Sequence, residues 1–133
     1  EKDSNLRLLL NYGHTFGHAL ERYFGIDQNF LTHGEAVSLG IVAASKLADQ
    51  KYKLKTLKIN KSLLKNFKLP TNFSDLKIKQ KIDINKLIKN LESDKKRTFA
   101  GLRFVISKKM GTGEIIYEKK TSLIKKSFKA IIK

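Results

Sequence analysis

The chain has 133 residues with 41% hydrophobic and 9% aromatic content, which excludes an intrinsically disordered or collagen-like polymer and leaves no room for a second full-sized domain. The absence of cysteine excludes disulfide scaffolds, thiolate metal sites, iron–sulfur clusters and thiol nucleophiles, and fits a cytoplasmic setting. Lys and Arg number 28 against 12 Asp and Glu, a formal +16, yet residues 1–50 hold four basic against six acidic groups, so residues 51–133 carry the whole excess. Only Arg7, Arg22, Arg97 and Arg103 are arginine. Phosphate and base-edge recognition favours the arginine fork, so the lysine excess reads as solvated surface rather than a nucleic-acid face.

Taken in chain order, Glu1-Lys2-Asp3-Ser4 has neither the basic nor the apolar region of a signal peptide and reads as a cut end. Ser4 is a plausible N-cap, and from Asn5 apolar residues recur with helical spacing at Leu6, Leu9, Leu10, Phe16, Leu20, Tyr23 and Phe24. Gly13 and Gly17 interrupt that pattern. Glycine in a helix costs about 1 kcal/mol relative to alanine, so two of them four apart imply a closely packed neighbour. After a loop over 25–31, Thr32-His33-Gly34-Glu35 forms a capping-box pattern ahead of the small and apolar residues 36–44. This predicts a second, buried helix to about Asp49. The apolar run 36–44 falls far short of the roughly 20 residues a membrane span needs.

Residues 51–69 are studded with lysine and helical from about 60 to 67, with Pro70 ending that element. Asp83 caps an amphipathic helix over 84–91, and residues 101–107 and 114–118 are β-like runs joined through Gly111-Thr112-Gly113. A helix over 122–132 closes the chain. The fold class is mainly α: a multi-helical domain with a short β-hairpin or pair of extended segments near the C-terminus.

All three histidines, His14, His18 and His33, fall in the first quarter of the chain. His14 and His18 are four apart, so on a helix both rings leave the same face, about 5–6 Å apart at Cβ. Arg7 and Asn11 extend that row on a continuous helix. His33 heads the next helix, and neutral imidazole is the commonest metal ligand in a chain without cysteine. The zinc-protease pattern H-E-x-x-H is absent, because Thr15 stands at the Glu position. A catalytic zinc takes three protein ligands, so the third is a local carboxylate such as Glu21 or Glu35, or a residue outside this chain. Asp94-Lys95-Lys96-Arg97 is a charged turn ahead of the extended run at Gly101.

The run Leu6-Arg7-Leu8-Leu9-Leu10-Asn11-Tyr12-Gly13-His14-Thr15-Phe16-Gly17-His18-Ala19-Leu20-Glu21, followed by His33-Gly34-Glu35-Ala36-Val37, resembles the signature of the 3-dehydroquinate synthases. Asp94-Lys95-Lys96 with Gly101 and the extended 102–106 resembles that family's later substrate-site segment, and Gly111-Thr112-Gly113-Glu114 the turn after it. The resemblance runs nearly the length of this chain and covers only the C-terminal part of the family's proteins.

That resemblance implies conversion of 3-deoxy-arabino-heptulosonate 7-phosphate to 3-dehydroquinate and phosphate, a lyase step of the shikimate pathway toward aromatic amino acids, using NAD and a divalent cation, Zn2+ or another such as Co2+. It implies His14 and His33 as metal ligands with a glutamate upstream of residue 1 as the third. Arg7 and Asn11 contact substrate by the same resemblance, and His18 hydrogen-bonds it and assists proton transfer. Asp3 stands where the family commonly has a catalytic-site glutamate, and one of Lys95 and Lys96 contacts an anionic group. No Gly-rich dinucleotide-binding turn occurs in the chain, so NAD would be held by an N-terminal domain absent from it, and the chain alone is expected to be inactive. The family is usually a cytoplasmic homodimer. Competing readings are another sugar-phosphate cyclase on the same scaffold, and a basic helical nucleic-acid module, which the dispersed lysines disfavour.

Overall fold

The structure, a computed structural model, describes residues 12–25, 31–76, 81–93, 97–98, 101–106 and 113–132. Asp3, Arg7, Asn11, Lys95 and Lys96 lie outside them, as do the cap at Ser4 and the first two residues of the Gly111-Thr112-Gly113 turn. In chain order the elements are α1 (His14–Phe24), α2 (His33–Tyr52), α3 (Thr56–Asn66), a 3-10 turn (Phe73–Leu76), α4 (Ile84–Ser93), β1 (Arg97–Thr98), β2 (Gly101–Ile106), β3 (Glu114–Glu118) and α5 (Thr121–Ile132). The expected mainly α domain with a C-terminal hairpin is what forms. The hairpin gains a third strand, the two-residue β1, which pairs antiparallel with β2.

α2 is the central element. The reciprocal cap expected at Thr32 is present: its hydroxyl accepts from the Glu35 amide at 3.1 Å, and its own amide donates to Glu35 Oε1 at 2.9 Å. Ala36, Ser38, Leu39, Gly40, Val42, Ala43, Ala44, Ser45, Leu47 and Ala48 are buried along it. Their small side chains let α1, α3 and α5 approach it from different sides.

The pattern from Asn5 does not continue as one helix through residues 12–13. Those two form a turn, Gly13 has φ +83°, and α1 begins at His14. The reason lies in the contact with α2. A Cβ at Gly40 would collide with the Gly13 carbonyl oxygen, and one at Gly17 would lie 3.2 Å from the Ala36 carbonyl. The backbones touch where neither chain carries a side chain, and the left-handed turn that this requires is open to glycine at no steric cost. The turn at 12–13 precedes His14 and His18, and positions 7 and 11 of the expected row lie outside the described residues.

Opposite α2, α1 buries Phe16, Leu20 and Phe24. Phe16 stacks on Phe104 of β2 at 4.8 Å between centroids and meets Phe128 of α5 edge-on at 5.1 Å. Phe104 pairs across the hairpin with Ile116, and Ile124, Phe128 and Ile131 of α5 complete that layer. α4 contributes Leu87, Ile88 and Leu91. Asp83 caps it as expected, accepting from the Asn85 and Lys86 amides at 3.0 and 3.3 Å.

α3 starts at Thr56, earlier than its apolar spacing implies. The Asp49 carboxylate, at the end of α2, accepts from the amides of Thr56 and Leu57 at 2.8 and 2.9 Å and from the Thr56 hydroxyl at 2.7 Å. A cap seven residues upstream replaces the local one. Asn60 of α3 reaches back to donate to Tyr12 Oη and Ser45 Oγ, at 3.1 and 2.7 Å. The Tyr12 hydroxyl donates to Ser45 Oγ at 2.8 Å, and that hydroxyl donates in turn to the Ile41 carbonyl. Burial pushes the Tyr12 phenol up from its ordinary value, against the lowering effect of these bonds. The network pins the residue just ahead of Gly13, and with it the start of α1.

Candidate functional site

Two helix beginnings bring the three histidines together. His14 is the first residue of α1, positioned by the Gly13 turn; His18 follows one turn later; His33 is the first residue of α2, held by the Thr32 cap. The ring centroids of His14 and His33 are 5.7 Å apart with planes tilted by 35°, and those of His14 and His18 are 5.6 Å apart, stacked, with planes 4° from parallel.

These angles separate what the two pairs can do. An imidazole binds a cation close to its own ring plane at about 2.0–2.1 Å from nitrogen. The tilted His14 and His33 rings, with centroids 5.7 Å apart, are close enough for a nitrogen of each to reach a shared ion. Stacked parallel planes share no such point, so His18 stands beside a His14–His33 pair as a separate polar group.

Glu21, seven residues beyond His14 on α1, places both carboxylate oxygens 3.2 Å from His33 Nδ1. A carboxylate accepts, so Nδ1 carries a hydrogen, and in the neutral ring that leaves the lone pair on Nε2. Glu35 is engaged in the Thr32 cap. Among the described residues no group of three or more His, Asp or Glu is arranged to hold a cation, so neither local carboxylate completes the ligand set. His14 and His18 are half-buried, and the His33 side chain is 61% exposed. Beyond Glu35 a cleft of about 380 Å3 is lined by Lys65, Lys68 and Asp75. These lysines were legible only as part of the basic excess. Their position beside the first turn of α2 follows from the antiparallel return of α3.

The residues expected to grip substrate are divided. His18 is in place beside the pair; Asp3, Arg7, Asn11, Lys95 and Lys96 are outside the described residues. The Arg103 carbonyl, on β2, accepts from the Thr15 hydroxyl at 3.3 Å, which ties that strand to the helix that carries His14.

Comparison with known proteins places the chain in a family. The model of the family described as 3-dehydroquinate synthase C-terminal matches residues 1–97. A 3-dehydroquinate synthase of Thermoanaerobacter pseudethanolicus is 39% identical over 131 residues, covering 94% of this chain and 33% of its own length. One from Vibrio atlanticus is 37% identical over 129 residues, covering 96% and 34%. The chain thus spans about a third of the length of these relatives. Among solved structures, a 2-deoxy-scyllo-inosose synthase complexed with carbaglucose-6-phosphate, NAD+ and Co2+ superposes with a TM-score of 0.70 at 26% identity, over 94% of this chain and 34% of that one.

Proposed function

Because the chain belongs to the 3-dehydroquinate synthase C-terminal family, we propose that it is the metal- and substrate-binding part of an enzyme that converts 3-deoxy-arabino-heptulosonate 7-phosphate to 3-dehydroquinate and phosphate. The observation that carries this reading is the tilted His14–His33 pair with His18 alongside, built on two helix starts that meet through glycine. The remaining two thirds of such a protein would supply NAD binding and the third metal ligand, a glutamate. The enzyme would act in the cytoplasm as a homodimer.

His14 and His33 would hold the divalent cation, Zn2+ or Co2+, and the two imidazoles fit a borderline ion of this kind. A cation held by His14 and His33 would supply Lewis-acid polarisation of a substrate hydroxyl. The chain's own residues do the rest of the binding and proton work. His18 would accept or return a proton at the substrate, one face away from the metal pair. Arg7 and Asn11 would orient it, and Arg7 with Lys95 or Lys96 would neutralise its phosphate and carboxylate. Asp3 would lie close to the reacting groups. The amide-rich N-termini of α1 and α2, at His14 and His33, favour an anionic ligand over a neutral sugar.

The test uses the full-length protein with NAD, Co2+ and the heptulosonate phosphate. Phosphate release with formation of dehydroquinate supports the reading, and His14→Ala and His33→Ala should each abolish both metal retention and turnover. Turnover with neither substrate nor metal dependence sinks it. The likeness to the inosose synthase supports a second reading, another sugar-phosphate cyclase. Phosphate release from glucose 6-phosphate, and none from the heptulosonate phosphate, would select it.

A further inference from the structure

The assignment of His33 as a metal ligand leaves Glu21 without a task, and its geometry supplies one. The carboxylate sits with both oxygens 3.2 Å from His33 Nδ1. The His33 side chain is 61% exposed, at the first position of its helix, so packing does little to hold its ring. Glu21 itself is 32% exposed and rooted in the third turn of α1, on the helix whose other face buries Phe16, Leu20 and Phe24. Seven residues separate it from His14, nearly two full turns, so His14 and Glu21 share one face of that helix. The better-anchored group therefore orients the looser one, and the same helix carries the partner imidazole.

We propose that Glu21 is a positioning residue for the metal site: by accepting the Nδ1 hydrogen of His33 it fixes the tautomer and rotation of that ring and presents Nε2 toward the cation shared with His14. The proposal rests on the reading of His14 and His33 as ligands. A carboxylate on the far nitrogen of a ligating imidazole also raises the basicity of the near one. Glu21 does not itself complete a ligand cluster, since no group of three among the described residues is arranged to hold an ion.

The experiment measures Co2+ affinity of the natural full-length protein by competition with a chromophoric chelator, together with the visible absorption of bound Co2+, in wild type, Glu21→Gln, Glu21→Ala and His33→Ala. Removing such an outer partner weakens metal binding about 10–100-fold. Glu21→Ala should show that loss with band positions and intensities unchanged, because coordination number is unaltered. Glu21→Gln, the same length and still able to accept a hydrogen bond, should recover most of the affinity, and it serves as the readout if the alanine variant does not fold. Wild-type affinity in both Glu21 variants overturns the proposal. So does a change in the Co2+ spectrum showing that a water has replaced a protein ligand, which would make Glu21 a ligand. If His33→Ala binds as tightly as wild type, the reading of the metal pair fails, and that failure is distinct from the other two.

Discussion

At the scale of single residues, a partly buried ion pair lies away from the histidines. Lys51 Nζ bonds the Tyr117 carbonyl and the Glu118 carboxylate, both at 2.8 Å, and the Lys120 amide donates to the other Glu118 oxygen at 2.9 Å. Glu118 is buried, which by itself raises a carboxyl pKa; the hydrogen bonds from Lys51 and the backbone outweigh that, and the net shift is downward. A carboxyl depressed in the folded state contributes stability that is complete above its unfolded value and is lost as the pH falls through its folded value. Lys51→Met should therefore cost about 1–3 kcal/mol at neutral pH, from a buried carboxylate left short of a donor. Denaturant melts of variant and wild type should converge below the ordinary carboxylate range, and a cost independent of pH would show that the pair is not its source.

At the scale of elements, the site depends on how closely two helices pack. Gly40 lies against the Gly13 carbonyl, so Gly40→Ala sets a methyl group against backbone that no rotamer change can move aside. We expect about 3 kcal/mol of destabilisation. Because the separation of His14 from His33 depends on this contact, metal affinity should fall in the fraction that still folds. An unchanged melting temperature and unchanged Co2+ binding would show that the helices can part without consequence. α3 offers a separate test. Asp49→Ala removes the acceptor for two amides and a hydroxyl at its start, and should cost about 1–2 kcal/mol, with hydrogen exchange quickening at Thr56 and Leu57. The metal affinity of the site should be kept, since Asp49 lies at the opposite end of α2 from His33 and caps only the start of α3.

At the scale of the molecule, the chain presents its histidines on an open face and shows an apolar stripe elsewhere. Ile59 and Leu63 on α3 and Phe67 at its C-terminal cap, spaced by four, are 53%, 46% and 75% exposed. Among the described residues no helix is long and apolar enough to cross a membrane. With two imidazoles and no completed ligand set among the described residues, the 133-residue chain by itself should bind Zn2+ far more weakly than the full-length protein and should release no phosphate from the heptulosonate phosphate with NAD added. Turnover by the isolated chain would overturn the division of labour proposed above.

Much of this was readable before any coordinates. The Thr32 to Glu35 cap and the Asp83 cap rest on interactions within a few residues, and the small-residue helix and the two hairpin strands show their composition and spacing locally, so a local pattern signals them directly. The clustering of His14, His18 and His33 was visible for the same reason. What local pattern could not carry was decided by contacts between distant segments. α3 begins early because a carboxylate at the end of another helix caps it, and β1 exists only because β2 passes beside it. α1 starts at His14 because α2 comes so near that Gly13 must turn left-handed. That last contact also sets the geometry of the histidines: helical spacing places His14 beside His18, whereas only the packing of the two helices brings His33 to within 5.7 Å of His14, ring centre to ring centre.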